Sequence, residues 1–174
     1  MDPGLLKCTT ELLDVLLDIS RSTFIDAFKH HNDPKDFQAY LDEAFDRRKI
    51  ENELKNQEIF YYLVYNHTIP VGYFKLNAAN AQTDISDPES LEIERIYVRK
   101  EYQGLKIGNW MIAQIVDLAR KAGINYLWLG VWEENRDAIR FYERSGFRKF
   151  KEHPYFIGKD KQTDWLMRLD IPKL

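Results

Sequence analysis

The chain has 174 residues, of which 44% are hydrophobic and 30% charged. This mixture is typical of one globular domain and excludes a disordered, collagen-like or disulfide-rich chain. The longest unbroken apolar run, residues 59–65, is far shorter than the roughly 20 residues that cross a bilayer. The single cysteine, Cys8, cannot form an internal disulfide, and the first residues lack the pattern of a signal peptide. We therefore expect a cytoplasmic protein without a membrane partner.

The net charge of −3 conceals an uneven distribution along the chain. Residues 1–98 carry a net charge of −8, whereas residues 99–174 carry +5. This asymmetry predicts that the first half meets a cation and the second half an anion. Chance variation of surface charge is the alternative explanation.

The first third of the chain is predicted to be helical and acidic. After a short apolar start at residues 5–8, apolar residues recur at helical spacing over residues 11–29. A second helix is expected to begin at Asp33 and Pro34, because aspartate caps a helix and proline fits its first position.

Strands are predicted in the middle of the chain. The segments 58–65 and 69–76 are rich in aromatic and β-branched residues, and they flank a short turn. They predict an antiparallel hairpin. A polar loop over residues 79–90 leads to a further strand over residues 90–98.

Helices and strands alternate in the last third of the chain. We expect helices over 108–122 and 135–145, and strands over 126–132, 147–155 and 163–169. The strand, helix and strand of residues 90–132 form a βαβ unit, whose crossover makes the two strands parallel. The sequence therefore predicts a mixed α/β fold with a mostly antiparallel sheet and one central parallel pair.

The loop that follows residues 90–98 is the strongest candidate for a binding motif. It contains Arg99, Lys100 and two glycines, and it ends at a predicted helix. Unpaired N–H groups and the helix dipole attract anions at such a position. The spacing matches neither a Walker A loop nor a Rossmann fingerprint, and an ordinary connection between strand and helix is the alternative.

Two segments of the chain resemble the GNAT superfamily of acyl-CoA-dependent N-acyltransferases. Residues 103–108, Gln-Gly-Leu-Lys-Ile-Gly, are similar to its Q/R-x-x-G-x-G/A motif. Residues 129–147 resemble its second motif, a strand followed by N-x-x-A-x-x-F-Y-x-x-x-G-F, which begins here at Asn135. Residues 91–97 and 162–164 add a likeness to the PaiA-type spermidine/spermine N-acetyltransferases.

The resemblance implies a single GNAT domain over residues 1–174. Residues 1–57 would form its helical substrate side, and residues 90–150 its acetyl-CoA-binding core. The pantetheine arm of acetyl-CoA would meet Asn135 and the backbone at the end of the strand, and Tyr142 and Arg144 would also contact the cosubstrate. The implied backbone and phosphate-binding residues are Ile96, Tyr97, Val98, Gln103, Gly104, Leu105, Lys106, Ile107, Gly108 and Asn109.

Lys106 departs from the family pattern, which usually has glycine at this position. We expect the φ angle of Lys106 to stay negative, so that its ammonium group can approach the phosphates as a mobile charge. A lysine that points into solvent on a degraded loop is the alternative.

Acetyl transfer requires a neutral amine, yet an alkyl amine is neutral in only about 1 molecule in 10³ at pH 7. The resemblance implies that Glu92 is the base that removes the proton. Glu94, which lies on the same strand face, is the second candidate for this role. A salt-bridged pair of surface glutamates is the alternative. The resemblance makes Tyr142 the donor of a hydrogen bond to the departing thiolate, whereas packing beside Phe141 is the alternative.

We expect the acceptor to be a small cationic amine, with a polyamine such as spermidine or spermine favoured. Another amine, such as a protein N-terminus, a lysine or an aminoglycoside, and a non-catalytic acyl-CoA-binding regulator are the alternatives. The four histidines lack metal-ligand spacing, and the basic half contains no nucleic-acid recognition module. We therefore expect no metal and no nucleic-acid partner, and a homodimer is left open.

Overall fold

The computed structural model describes residues 2–29, 33–157 and 160–172. For residues 155–157 and 160–162 it describes the backbone alone. The helices are α1 (Leu13–Phe28), α2 (Pro34–Ala44), α3 (Arg47–Lys55), α4 (Ile107–Lys121) and α5 (Arg136–Arg144). The strands are β1 (Pro3–Lys7), β2 (Ile59–Asn66), β3 (Ile69–Ala78), β4 (Ser90–Val98), β5 (Tyr126–Trp132), β6 (Arg148–Ile157) and β7 (Asp160–Asp170).

The seven strands form one sheet in the order β1-β2-β3-β4-β5-β7-β6. Strands β4 and β5 are parallel, whereas β1 with β2, β5 with β7 and β6 with β7 are antiparallel. The predicted mixed α/β fold, with one parallel pair in a mostly antiparallel sheet, is confirmed. No helix within the described ranges is long and apolar enough to cross a bilayer.

The chain divides into two compact units. Unit one comprises Met1–Leu76 and Arg95–Met111, and unit two comprises Asn77–Glu94 and Ile112–Leu174. The division therefore falls within β3, within β4 and within α4.

In unit one, apolar side chains of α1 pack against β2 and β3, and Leu16, Ile19 and Leu63 have no exposed surface. The predicted start of α2 is confirmed, because the Asp33 carboxylate accepts a hydrogen bond from the Lys35 N–H at 2.9 Å. Residues 5–8 were expected only as an apolar start, but most of this segment belongs to strand β1, which pairs with β2 at the edge of the sheet.

In unit two, β5 carries no charged residue, and Leu127, Trp128 and Leu129 are almost fully buried. Such a strand is typical of the centre of a sheet that is covered on both faces. Ile115 and Ala119 of α4 are also fully buried. Strands β6 and β7 form a long antiparallel hairpin with an irregularity between Lys149 and Lys151.

Candidate active site

The candidate phosphate loop joins β4 to α4 within unit one. Its start is fixed by the backbone, because the Arg99 N–H donates to the Val71 carbonyl at 2.8 Å. The Gln103 side chain donates to the carbonyl of Val98 at 3.1 Å and closes the loop onto the end of β4. At the other end Ile107 is buried and anchors the first turn of α4. The residues between these anchors are mostly exposed.

Lys106 does not have the expected backbone conformation. Its φ is +62°, in the left-handed region that costs a residue with a Cβ about 1–2 kcal/mol. The expectation of a negative φ was wrong, because the loop turns into α4 with the geometry that glycine would adopt without cost. The carbonyl of Lys106 accepts a hydrogen bond from the Trp110 N–H at 3.1 Å, so the strained residue also starts the helix.

The guanidinium group of Arg99 is paired within unit one, so it adds little unneutralised positive charge to the loop. Its Nη2 lies 2.8 Å from the Asp18 carboxylate, and its Nε donates to the Pro70 carbonyl at 3.0 Å. The basic character expected of the loop therefore comes from Lys100 and Lys106, which are exposed.

Several acids of residues 1–57 are also neutralised by partners within unit one. The ion pairs are Asp14–Arg47, Asp18–Arg99, Arg21–Asp42, Glu51–Lys55 and Glu53–Lys75. Of these pairs, only Asp18–Arg99 draws on a base outside residues 1–98. The other four pairs use bases already counted in the net charge of −8, so nearly all of the acidic excess in the first half of the sequence remains.

Gly72 marks a close approach of two strands that the sequence analysis did not single out. A Cβ at this residue would lie 2.8 Å from the carbonyl oxygen of Tyr97 and 3.5 Å from the Cα of Val98. Strand β3 therefore passes unusually close to the end of β4, where the predicted pantetheine-binding backbone lies. The glycine inside a strand pattern was the available signal, since it often marks a close backbone approach.

Tyr97 uses its side chain for packing. Its ring stacks on Tyr73 with 5.8 Å between centroids and makes edge contacts with Phe24 and Phe28. The half-buried Arg95 lies over the Phe45 ring, 4.7 Å from the centroid. The backbone of Ile96–Val98 is thus held in place by side chains that pack within unit one.

Glu92 and Glu94 share one hydrogen-bond donor in unit two. The Nδ2 of Asn77 donates to Glu92 Oε2 at 3.0 Å and to Glu94 Oε2 at 2.6 Å. Glu92 also accepts from the backbone N–H and the hydroxyl of Thr83, at 2.8 and 2.5 Å. The prediction that both glutamates lie on one strand face is confirmed, and the hydrogen-bond partners of Glu92 are neutral groups.

The environment of Glu92 changes its acidity. The residue is only 3% exposed, and burial raises the pKa of its carboxyl group above the usual value. Hydrogen bonds from Thr83 and Asn77 oppose this shift, and the charge of Glu94 adds to it. A buried carboxylate with a raised pKa is a stronger base than one in water, which fits a role in proton transfer.

A buried network fixes the loop that presents Thr83. The Oε1 of Gln82 accepts hydrogen bonds from Trp128 Nε1 at 2.7 Å and from the Ser90 hydroxyl at 3.0 Å. Its Nε2 donates to the carbonyls of Asp87 and Ser90.

Asn77, Gln82 and Thr83 were not predicted from the sequence. Gln82 and Thr83 lie in a stretch that has the composition of an ordinary polar loop. Asn77, a polar residue at the end of an apolar strand, was the one visible signal.

The parallel ladder between β4 and β5 is short. Its register covers Ser90–Glu92 with Tyr126–Trp128 and ends at the pair Glu92 and Trp128. Both strands continue beyond that pair, to Val98 and to Trp132. The parallel pairing therefore covers only the first three residues of each strand.

Helix α5 carries the other predicted residues of unit two. Asn135 is its N-cap and accepts a hydrogen bond from the Ala138 N–H at 3.2 Å. Tyr142 is half-buried, with its ring centroid 5.3 Å from that of Phe141 and 5.7 Å from that of Phe147. Burial raises the pKa of the Tyr142 hydroxyl above its usual value, so this group is a hydrogen-bond donor at neutral pH. Arg144 is exposed in the last turn.

The family described as the acetyltransferase (GNAT) family matches residues 14–147 of the chain. The chain belongs to the GNAT family. By class it is an N-acetyltransferase, and acetyl-CoA is the donor that this GNAT assignment supports.

Individual GNAT relatives cover most of the chain. It is 36% identical over 156 residues to an uncharacterised N-acetyltransferase of Lactobacillus delbrueckii subsp. lactis, covering 90% of each. It is 21% identical to a spermidine N(1)-acetyltransferase of Thermoplasma acidophilum over 82% of this chain and 86% of the relative. The crystal structure of the PaiA N-acetyltransferase from Thermoplasma acidophilum in complex with coenzyme A superimposes with a TM-score of 0.78 at 20% identity, covering 98% of this chain and 99% of that one.

The candidate phosphate loop between β4 and α4 leaves room for the phosphates of acetyl-CoA. Gly104 has a φ of +77°, and no atom lies within 4 Å of a Cβ built on it. The backbone there is exposed and has open space around it, as the approach of a pyrophosphate requires. Within the described ranges, no group of three side chains is arranged to hold a metal ion.

Proposed function

We propose that this GNAT protein transfers the acetyl group of acetyl-CoA to a primary amine of a small polyamine, such as spermidine or spermine. The observation that carries the proposal is the carboxylate pair of the buried Glu92 and the half-buried Glu94, joined through Asn77. Two carboxylates beside each other suit an acceptor that arrives as an ammonium ion. The likeness to a spermidine N(1)-acetyltransferase, at 21% identity, adds support.

The donor would be held mainly by backbone groups. N–H groups of residues 103–109 would bind the pyrophosphate, assisted by the helix dipole of α4. The backbone of Ile96–Val98 would pair with the pantetheine amides as an added strand. Asn135 and Arg144 would contribute from α5, and the capping bond of Asn135 is compatible with this additional role.

The acceptor must lose a proton before it can attack. The free energy needed to deprotonate an alkyl ammonium ion at pH 7 is about 4–5 kcal/mol. Glu92, with its raised pKa, would take this proton, and Glu94 would be the second carboxylate in reach of the ammonium ion. The amine nitrogen then forms a bond to the thioester carbon, and the C–S bond breaks with its electron pair on sulfur. The acylated nitrogen releases its second proton to solvent, which leaves a neutral amide.

Tyr142 would stabilise the leaving thiolate. A tyrosine hydroxyl is a weaker acid than a thiol by about 1.5 pKa units, so complete proton transfer is uphill by roughly 2 kcal/mol. Burial raises the pKa of Tyr142 further and makes such transfer still less favourable. Tyr142 therefore donates a hydrogen bond to the developing charge, and the thiolate takes its proton from solvent.

We also propose that residues 1–174 act as one catalytic domain. The family match over 14–147 runs through both units of the chain. In this proposal residues 1–57 contribute the substrate side and residues 90–150 the acetyl-CoA-binding core.

A thiol-release assay across a panel of amines tests the proposal. The panel contains spermidine, spermine, a lysine-containing peptide, a peptide with a free N-terminus and an aminoglycoside, each with acetyl-CoA at pH 7 to 9. We expect the highest kcat/KM with a polyamine. A higher value with a peptide or an aminoglycoside would replace the acceptor, and binding of acetyl-CoA without thiol release for any amine would favour a regulator.

A further inference from the structure

Asn77 contains a buried hydrogen-bond acceptor that the fold does not use. The residue is 1% exposed, and its Nδ2 donates to both Glu92 and Glu94. Among the described residues, no donor reaches its Oδ1. A buried carbonyl oxygen without a donor costs about 1–3 kcal/mol, so this group calls for an explanation.

The two carboxylates fix which way the Asn77 amide faces. Reversal of the amide would place Oδ1 against the oxygens of Glu92 and Glu94, which accept hydrogen bonds and repel a further acceptor. The N–H₂ group therefore faces the acids, and Oδ1 faces away from them. Because oxygen and nitrogen share one carbon, Oδ1 stays within about 5 Å of the bonded carboxylate oxygens.

We propose that Oδ1 of Asn77 accepts an N–H from the acceptor amine and places its nitrogen beside Glu92 and Glu94. This inference rests on the proposed function and adds a recognition residue to it. A primary ammonium ion carries three N–H donors, one for Oδ1 and two for carboxylate oxygens. Thr83 is exposed and Glu94 half-buried, so an amine can approach the cluster from their side. Oδ1 itself has less than 1 Å² of accessible surface, so the amine reaches it only after neighbouring side chains shift.

The arrangement selects for N–H groups as well as for positive charge. A quaternary ammonium ion has the same charge as a primary one, but it cannot donate to Oδ1. A site that forms hydrogen bonds to a ligand rejects an analogue without the donor, because its own polar groups stay unpaired. Asn77 would thus exclude fully methylated amines.

Calorimetry with two probes of equal charge tests this selection. The affinities of n-butylammonium and n-butyltrimethylammonium are measured at pH 7 with coenzyme A present, for the wild type, Asn77→Leu and Asn77→Asp. We expect a preference for the primary ion of about tenfold or more in the wild type. Asn77→Leu should lose about tenfold of this preference. Asn77→Asp keeps an oxygen acceptor at the Oδ1 position, and a proton shared between its second oxygen and the neighbouring glutamates replaces the lost N–H donor, so this variant should retain the preference.

Two controls separate recognition from folding. Met167→Ala removes a fully buried side chain of β7 in unit two, outside the Asn77 cluster, and should lower thermal stability without changing the preference. If Asn77→Leu does not fold, Asn77→Ser is measured instead. Its shorter side chain moves the oxygen acceptor away from the position of Oδ1. An unchanged preference in Asn77→Leu or Asn77→Ser, or a loss in Asn77→Asp equal to that in Asn77→Leu, would overturn the inference.

The same measurements distinguish this inference from the proposed function. Absence of thiol release with every amine would refute the proposed function, while the ratio of the two affinities would still be measurable. Thiol release together with a preference that no Asn77 variant changes would refute only the role of Asn77.

Discussion

Replacement of Glu92 by glutamine should remove the proposed base while leaving the fold intact. In the wild type, Oε2 of Glu92 accepts two N–H donors and Oε1 accepts the Thr83 hydroxyl. A glutamine can keep its carbonyl oxygen at the Oε2 position, and its amide nitrogen can donate to the Thr83 hydroxyl after that hydroxyl rotates. All three contacts survive, so we expect the free energy of unfolding to change by about 1 kcal/mol or less.

The catalytic effect of Glu92→Gln should be large at neutral pH and small at high pH. A general base contributes about 10²–10⁴ in rate, so kcat/KM for the best polyamine should fall at least about 100-fold at pH 7. Near pH 10 about a quarter of an alkyl amine is already neutral, so the difference between the two proteins should shrink. A pH series of thiol release from acetyl-CoA measures both effects.

Two further glutamine variants make this result interpretable. Glu94→Gln tests the second carboxylate, and Glu89→Gln removes an exposed charge just before β4 and should leave kcat/KM unchanged. Full activity of Glu92→Gln at pH 7 would refute Glu92 as the base. If Glu94→Gln alone showed the loss, Glu94 would take that role.

Glu92→Gln should also change how stability depends on pH. Burial raises the folded-state pKa of Glu92, so the folded protein binds the proton more tightly than the unfolded chain does. The contribution of this group to stability is complete below the unfolded-state pKa and is lost as the pH rises through the folded-state pKa. Urea denaturation from pH 4 upwards should show the unfolding free energy of the wild type falling relative to that of Glu92→Gln. A constant difference would show that the pKa is not raised.

Three other substitutions give distinct outcomes. Gly72→Ala should lower the unfolding free energy by about 2–3 kcal/mol in urea denaturation, because its Cβ would meet the Tyr97 carbonyl at 2.8 Å; an unchanged stability would refute the close approach. Lys106→Gly should stabilise the protein by about 0.5–1 kcal/mol by relieving the left-handed φ, whereas Lys106→Ala keeps the strain. Calorimetry of acetyl-CoA binding to the same two variants shows whether the lost ammonium group mattered. Tyr142→Phe should lower kcat by about 10²-fold or more with little effect on KM for the amine; full turnover would exclude the hydrogen bond to the thiolate.

Strong periodicity made much of the fold predictable. The bounds of β4 and β5 match the expected residues 90–98 and 126–132. In β4 apolar residues alternate with glutamates, whereas β5 is an uncharged run of apolar and aromatic residues, and both patterns are typical of strands. Helix α5 also matches, since Asn135 caps it and Gly146 follows it. In contrast, β1 begins with proline and glycine, and its extended form depends on pairing with β2, which no local pattern reveals.

The candidate site was predictable only where residues act within one short segment. Glu92 and Glu94 follow from the two-residue period of a strand, and the loop at 103–108 follows from its motif. Asn77 lies 15 residues from Glu92, and its role depends on the spacing between neighbouring strands. The φ of Lys106 was missed because a turn fixes the conformation of each residue, while the sequence shows only which residue occupies it.

The buried side chain of Gln82 limits how the polar loop before β4 can change during evolution or engineering. Although its residues look interchangeable, Gln82 is fixed to Trp128 and Ser90, and the next residue, Thr83, is fixed to Glu92. An insertion between Thr83 and Asp87 would lengthen the loop without moving these contacts, since Gln82 is held by Asp87 and Ser90 on the far side of the insertion. An insertion between Ala78 and Gln82 would displace both of them together, so tolerance to added residues differs sharply between the two halves of one loop.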